Sequence, residues 1–151
     1  MLFGKRERAI RRIAIIEDEP LIAFDNEHLL GEAGYEVVAT IDNFADALRL
    51  IESDRPAADL ILCDINLRGE GDGIDVARAA ASRNIPVLFV SGNCPSEARS
   101  IAVGCLAKPY SGKMLKNALV ALDRRLRGLP MKRIPPGLSL YDTEDSSAPS
   151  I

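Results

Sequence analysis

Short β-branched runs alternate with longer stretches of helical period through most of this chain, and that alternation constrains the fold more than any single residue does. Residues 13–16 are continuously apolar, as expected of a strand buried on both faces, and the run stops abruptly at Glu17, Asp18, Glu19 and Pro20. Pro20 suits the first turn of a helix, and Ile22, Leu29, Leu30 and Ala33 recur at helical spacing before Gly34 offers a C-terminal cap. Residues 36–39 read as a second strand. A helix over 43–54 follows, with Asn43 as cap, Phe44, Ala47, Leu48 and Ile51 on one stripe, and Arg55-Pro56 as its stop. Residues 60–63 form a third strand ending at Asp64, and Gly69, Gly71 and Gly73 predict a flexible loop before a helix over 74–82. A fourth strand over 86–90 ends in Ser91-Gly92-Asn93, residues 96–103 allow about two helical turns, and a fifth strand over 104–107 ends at Lys108-Pro109. Residues 113–126 close the series as an amphipathic helix with Leu115, Leu119, Leu122 and Leu126 on one face. Five strands alternating with five helices predict an α/β, doubly wound parallel sheet, because parallel strands require crossover connections.

The flanks break the pattern. Residues 1–11 carry Lys5, Arg6, Arg8 and Arg11 and read as a basic, solvated extension; lacking a 7–15-residue apolar core, they are not a signal peptide. Residues 128–151 hold four Pro, four Ser and the acidic group Asp142, Glu144 and Asp145 without apolar period, which predicts a flexible tail. A balance of 19 Lys and Arg against 22 Asp and Glu excludes a strongly basic nucleic-acid binder. No 18-residue apolar run suggests a membrane span, so the expectation is a soluble, cytoplasmic protein with neither nucleic acid nor membrane as partner. Cys63, Cys94 and Cys105 are odd in number and show no C-x-x-C spacing, which argues for a reducing compartment and against a disulfide framework or zinc. The single histidine, His28, falls within a helical pattern and reads as a surface residue.

In an open parallel sheet, ligands bind beyond the carboxyl ends of the strands where strand order reverses. The residues at those ends are Glu17 and Asp18, then Asp64, Ser91 and Lys108. Two carboxylates about 4 Å apart repel by roughly 4 kcal/mol at an effective dielectric of 20, so three of them call for protons or a cation. Oxygen-only donors favour Mg²⁺ or Mn²⁺, which pairs one or two carboxylates with phosphate oxygens. Asp64 is then a candidate carboxylate nucleophile toward phosphorus, with the Lys108 ammonium and Ser91 hydroxyl offsetting charge on the transferred group. Each residue also has a plainer role open to it: Glu17 and Asp18 suit the positive end of the helix dipole, Ser91 suits a turn, and Lys108 suits a solvated surface.

Taken together, Ile15-Ile16-Glu17-Asp18-Glu19-Pro20, Leu60-Ile61-Leu62-Cys63-Asp64-Ile65-Asn66-Leu67, Val90-Ser91-Gly92 and Ala107-Lys108-Pro109-Tyr110 resemble the receiver domain of bacterial two-component response regulators over residues 12–127. The resemblance implies a flavodoxin-like sheet of order 2-1-3-4-5. It implies Asp64 as phosphoacceptor, and Mg²⁺ held by Asp18 and Asp64 with help from Glu17 and the Asn66 backbone carbonyl. It also implies a phosphoryl contact from Ser91, a counter-charge from Lys108, and a cis peptide before Pro109. The implied partners are a sensor histidine kinase or a histidine phosphotransfer protein, with a downstream target protein. The implied role is a signalling phosphoacceptor, not an enzyme.

Two departures stand out. Cys105 occupies the position, three before the lysine, where receivers usually carry Tyr or Phe, and the stretch from Ser91 to Lys108 is short. Both features look similar to the single-domain "FAT GUY" receivers of alphaproteobacteria, although Ser91 stands where that motif has Thr. With 43 residues after Lys108 (151 − 108) and a helix among them, a stand-alone receiver is expected. A small Cys105 side chain beside a short fourth helix predicts that residues 93–103 are mobile until phosphorylation orders them. The competing readings are a pseudo-receiver acting as a phosphorylation-independent binding module, and a flavin or nucleotide enzyme, the latter lacking any G-x-x-x-x-G-K-[ST] or G-x-G-x-x-G after the first strand.

Overall fold

The central strands of the sheet are covered on both faces, and that burial sets the architecture. The computed structural model describes residues 7–53, 58–67, 70–131 and 133–141. In chain order the elements are β1 (Arg12–Ile16), α1 (Pro20–Glu32), β2 (Glu36–Ile41), α2 (Phe44–Glu52), β3 (Leu60–Asp64), α3 (Gly73–Ser82), β4 (Val87–Ser91), a 3₁₀ turn (Ser96–Ser100), β5 (Gly104–Ala107), α4 (Gly112–Leu126) and β6 (Leu138–Leu140). The sheet runs β2-β1-β3-β4-β5-β6. Its first five strands are parallel, and β6 pairs antiparallel with β5. Every residue of β3 and β4 is buried.

Alternation along the strands divides the core into two layers. Ile13, Ile15, Leu60, Leu62, Leu88, Val90 and Leu106 face Leu30 of α1 and Leu115, Ala118, Leu119 and Leu122 of α4. Ala14, Ile16, Ile61, Cys63, Phe89 and Cys105 face α2, α3 and the 3₁₀ turn through Ala47, Ile51, Val76, Ala77, Ala80, Ala98 and Ala102. Pro20 opens α1, and the starts of α2, α3 and α4 are fixed by side-chain caps. The Asn43 side-chain Oδ1 accepts from the Asp46 N–H at 2.8 Å, Asp72 and Asp75 form a reciprocal capping box, and the Ser111 hydroxyl accepts from the Met114 N–H at 3.1 Å. Of the α4 stripe, Leu126 emerges at the helix end and is 40% exposed. His28 lies on the outer surface of α1, 3.4 Å from Glu32.

Four expectations need correcting. The helix expected over 96–103 is a five-residue 3₁₀ turn; only Ala98 within it is buried, too little apolar surface to support a longer helix. The tail is not wholly flexible: residues 138–140 add a sixth strand, Leu138 is buried in the α1/α4 layer and Tyr141 in the other. Three residues are too few to display a period, which hid this strand from the sequence. The basic extension is not wholly solvated either. Ile10 is fully buried, and the Ala9 and Ile10 N–H groups donate to the buried Asp123 carboxylate at 2.6 and 2.8 Å. Finally, Cys94 and Cys105 are joined by a disulfide, with Cα atoms 6.2 Å apart. An odd cysteine count concealed a local pair, and Cys63 is the third, buried and free. Residues 1–6, Arg55-Pro56, Gly69 and residues 142–151 lie outside the described residues.

Candidate functional site

Strand ends deliver the polar residues to one rim. Glu17 follows β1, and its N–H donates to the Ile41 carbonyl at 2.8 Å, which ties the end of β1 to β2. Asp64 is the last residue of β3 and Ser91 the last of β4. Lys108 follows β5, with its N–H on the Ser91 carbonyl at 2.8 Å. The start of α3 closes over Asp64: the Gly73 N–H donates to the Ile65 carbonyl at 2.8 Å, and a Cβ on Gly73 would press on the Asp64 carbonyl and lie 2.6 Å from Ile65 Cα. Only glycine permits this approach.

Glu17, Asp18 and Asp64 bring one oxygen each within 4.8 Å of one another. The Asp64 Oδ1 atom accepts from the Asn66 N–H at 3.1 Å, and its Oδ2 accepts from Lys108 Nζ at 3.4 Å. The Glu17 Oε2 atom accepts from the Glu19 N–H at 3.1 Å. Its Oε1 is buried with no hydrogen-bond partner among the described residues and lies 3.9 Å from Lys108 Nζ. Burial, aided by the nearby Asp64 charge, pushes the Glu17 carboxyl up to about 7. Burial works to lower the Lys108 pKa, but the Glu17 and Asp64 carboxylates outweigh it and raise the ammonium above its ordinary range. An orphaned carboxylate oxygen beside two further hard-oxygen donors is what a divalent cation would satisfy, so the donor set fits Mg²⁺ or Mn²⁺.

All the predicted site side chains reach this rim, though they are not equally engaged. Ser91 is 4% exposed and its hydroxyl is turned onto its own turn, donating to the Asn93 carbonyl and accepting from the Asn93 N–H, both at 3.1 Å. The Lys108-Pro109 peptide is cis, as the resemblance implied. Sequence reasoning missed Asn26 and Tyr110. Asn26, buried on α1, donates to the Tyr110 hydroxyl at 3.0 Å, and both line a cleft of about 600 Å³ with Ile22, Leu29, Lys108 and Pro109. Asn26 at a buried position of the α1 period was the available signal. Cys94 was missed as well, three residues beyond Ser91.

Known proteins resemble this chain over the same stretch. The model of the response regulator receiver domain matches residues 13–120. The transcriptional regulatory protein PdtaR of Mycobacterium tuberculosis is 36% identical over 123 residues, covering 78% of this chain and 58% of the relative, so the chain spans little more than half of that protein's length. Among solved structures, the response regulator PhyR from Brucella abortus superposes with a TM-score of 0.67 at 32% identity, over 83% of this chain and 52% of that one. SdrG from Sphingomonas melonis Fr1 does so with 0.61 at 36%, over 76% of this chain and 97% of that one. Among the described residues no helix is long and apolar enough to cross a membrane. With the sheet order, the acidic rim and the family match all coinciding on the same stretch, the chain belongs to the response regulator receiver domain family.

Proposed function

We propose that Asp64 accepts a phosphoryl group from a phosphohistidine of a sensor histidine kinase or histidine phosphotransfer protein. Receiver domains pair with histidine kinases and bind Mg²⁺ at an acidic pocket, and the observation that carries the assignment to this chain is the cluster of Glu17, Asp18 and Asp64 facing Lys108. In this reading an Asp64 carboxylate oxygen bonds to phosphorus while the phosphorus–nitrogen bond to histidine breaks, and the freed imidazole leaves with the electron pair. Asp18 and Asp64, with Glu17 and the Asn66 carbonyl, would hold Mg²⁺ or Mn²⁺, which supplies charge neutralisation for the phosphoryl oxygens. Lys108 provides the fixed counter-charge, and the Ser91 hydroxyl turns from Asn93 toward the phosphoryl group. The phosphorylated domain then engages a downstream protein.

The test is labelling by acetyl phosphate. We expect Mg²⁺-dependent incorporation of one phosphoryl group, abolished by Asp64→Asn; label persisting in that variant, or equal label in EDTA, overturns the assignment.

A further inference from the structure

We propose that Cys94 and Cys105 are a reversible thiol–disulfide site whose oxidation locks the turn behind Ser91, so that phosphorylation is read out only by the reduced protein. The inference rests on the phosphoryl reading above for its output, but the bridge itself is independent of it.

The argument begins with what the bridge connects. Cys105 lies in the middle of β5, fully buried and in register with Phe89 of β4 and Ser139 of β6. It therefore moves little. Cys94 is half-buried in the turn after β4, directly following Asn93, and Asn93 supplies both backbone partners of the Ser91 hydroxyl. A covalent path thus runs from the partner of the phosphate-sensing hydroxyl, through Cys94 and Cys105, into the strand that presents Lys108 three residues later. The bridge closes a short ring, of sequence separation 11, and the 3₁₀ turn lies wholly inside it. Without the bridge, the ring segment is held by the buried side chains of Ala98 and Ala102, the half-buried Ile101 and Val103, the exposed Arg78–Glu97 pair at 3.8 Å and a few backbone bonds, such as Ala102 N–H to the Ala98 carbonyl at 3.0 Å. Alanines bury little apolar area, so this segment belongs to the low-stability end of the molecule once the bridge opens.

Exposure sets the order of the chemistry. Cys105 is fully buried and Cys94 only half-buried, so exchange with an external thiolate is directed to Cys94 Sγ. A dithiol reductant attacks Cys94 Sγ, the Cys94–Cys105 bond breaks, and the Cys105 sulfur leaves as thiolate and takes up a proton. The second thiol of the reductant then attacks the mixed disulfide and frees Cys94 as a thiol. The bridge gains two electrons and two protons, and the dithiol becomes a disulfide; an oxidised dithiol runs the sequence backwards. Cys63 does not compete, because it is fully buried in β3.

The experiment uses the full chain treated with oxidised or reduced dithiothreitol, and denaturing alkylation verifies one free thiol in the first form and three in the second. Amide hydrogen exchange of residues 92–103 is then followed with and without beryllium fluoride and Mg²⁺ as the phosphoryl mimic. In the reduced chain the mimic should slow exchange in this segment by about 10-fold or more, and in the oxidised chain by less than about 3-fold. Cys94→Ser, a change at a half-buried position, should respond as the reduced chain does under both treatments. Three free thiols after oxidation, or equal responses in the two forms, overturn the proposal. Failure of acetyl phosphate to label either form would instead bring down the phosphoryl reading, and the redox output with it; label without any difference in response defeats the redox site alone.

Discussion

The two halves of the sheet are built by different means. On the β2-β1-β3 side, strands hand over to α-helices whose starts are capped by Asn43 and Asp72, and the carboxylates stand directly at strand ends. On the β4-β5-β6 side, the connection from β4 to β5 is a 3₁₀ turn bridged by Cys94–Cys105, and β5 is flanked by a three-residue antiparallel strand. Each side contains one fully buried strand, β3 on the first and β4 on the second, but the first flanks it with capped helices. The second relies on a covalent bridge, on close backbone contacts and on a few buried alanines. The three carboxylates sit on the first side, where packing holds them in place at strand ends, and face Lys108 from across the rim. The side that carries Ser91, which in the proposed function meets the phosphoryl group, is held by devices that can be opened one at a time.

The sharpest way to test this division is to remove a charge from the rigid side. Asp18→Asn should slow Mg²⁺-dependent phosphorylation by about 10- to 100-fold, as loss of a carboxylate ligand weakens the cation site. Wild-type stability should rise with Mg²⁺ by about 2.7 kcal/mol at 100 times the dissociation constant, measured as a thermal shift, and the variant should lose most of that shift. A wild-type melting temperature indifferent to millimolar Mg²⁺ would break the comparison on its stronger side.

A smaller effect separates the carboxylates from one another. The Glu17 pKa rises from its ordinary 4.5 to about 7, chiefly through burial, with Asp64 adding to the rise. Below 4.5 the folded and unfolded chains both hold this proton. Between 4.5 and about 7 the unfolded chain releases it and the folded chain retains it, so Glu17 lowers stability progressively as pH rises through that window. Above it the full penalty is present. In EDTA, wild type should therefore lose more stability than Glu17→Gln between pH 5 and pH 7.5, and saturating Mg²⁺ should narrow the difference because the cation favours the ionised carboxylate. Parallel pH profiles for the two proteins would show that Glu17 is not held in its raised state.

Legibility from sequence followed the same division. Ile13 to Ile16, Leu60 to Cys63 and Pro86 to Val90 advertise buried parallel strands because both faces must be apolar, and Asp64 is conspicuous where such a run ends. Asn43 and Pro20 mark helix starts by local chemistry alone. Beyond β4, the sixth strand and the bridge on the other side offer no comparable signal. Leu138 and Leu140 among prolines and serines do not announce a strand, because pairing with the free edge of β5 depends on geometry that only the folded sheet supplies. Cys94 and Cys105 are eleven residues apart in sequence, a spacing with no motif, and they meet only because the 3₁₀ turn folds the chain back. Likewise the burial of Ile10 depends on Asp123, more than a hundred residues away.

The smallest predicted effect probes how β6 is retained. Gly104 opens β5 in register with Leu140, and a Cβ added there would lie 2.7 Å from the Ser139 carbonyl oxygen and 3.6 Å from Leu138 Cδ1. The backbone oxygen cannot yield without β6 moving, whereas β4 and β5 are joined to the rest of the sheet on the opposite edge. Gly104→Ala should therefore displace β6 and leave the parallel sheet intact. The cost should be limited to about 1–3 kcal/mol, the range for an added methyl in a packed site. Hydrogen exchange should accelerate at residues 138–141, including the Tyr141 N–H that donates to the Val103 carbonyl at 2.9 Å, while β3 keeps its protection and Asp64 its phosphorylation rate. Because Tyr141 shares a core layer with Ala98, Ala102 and Cys105, the 3₁₀ turn should loosen together with β6, and more so when the disulfide is reduced. If β6 exchanges faster while the turn is unchanged even in the reduced protein, the two devices on this side are independent; if β3 loosens as well, the distinction between the halves of the sheet is wrong.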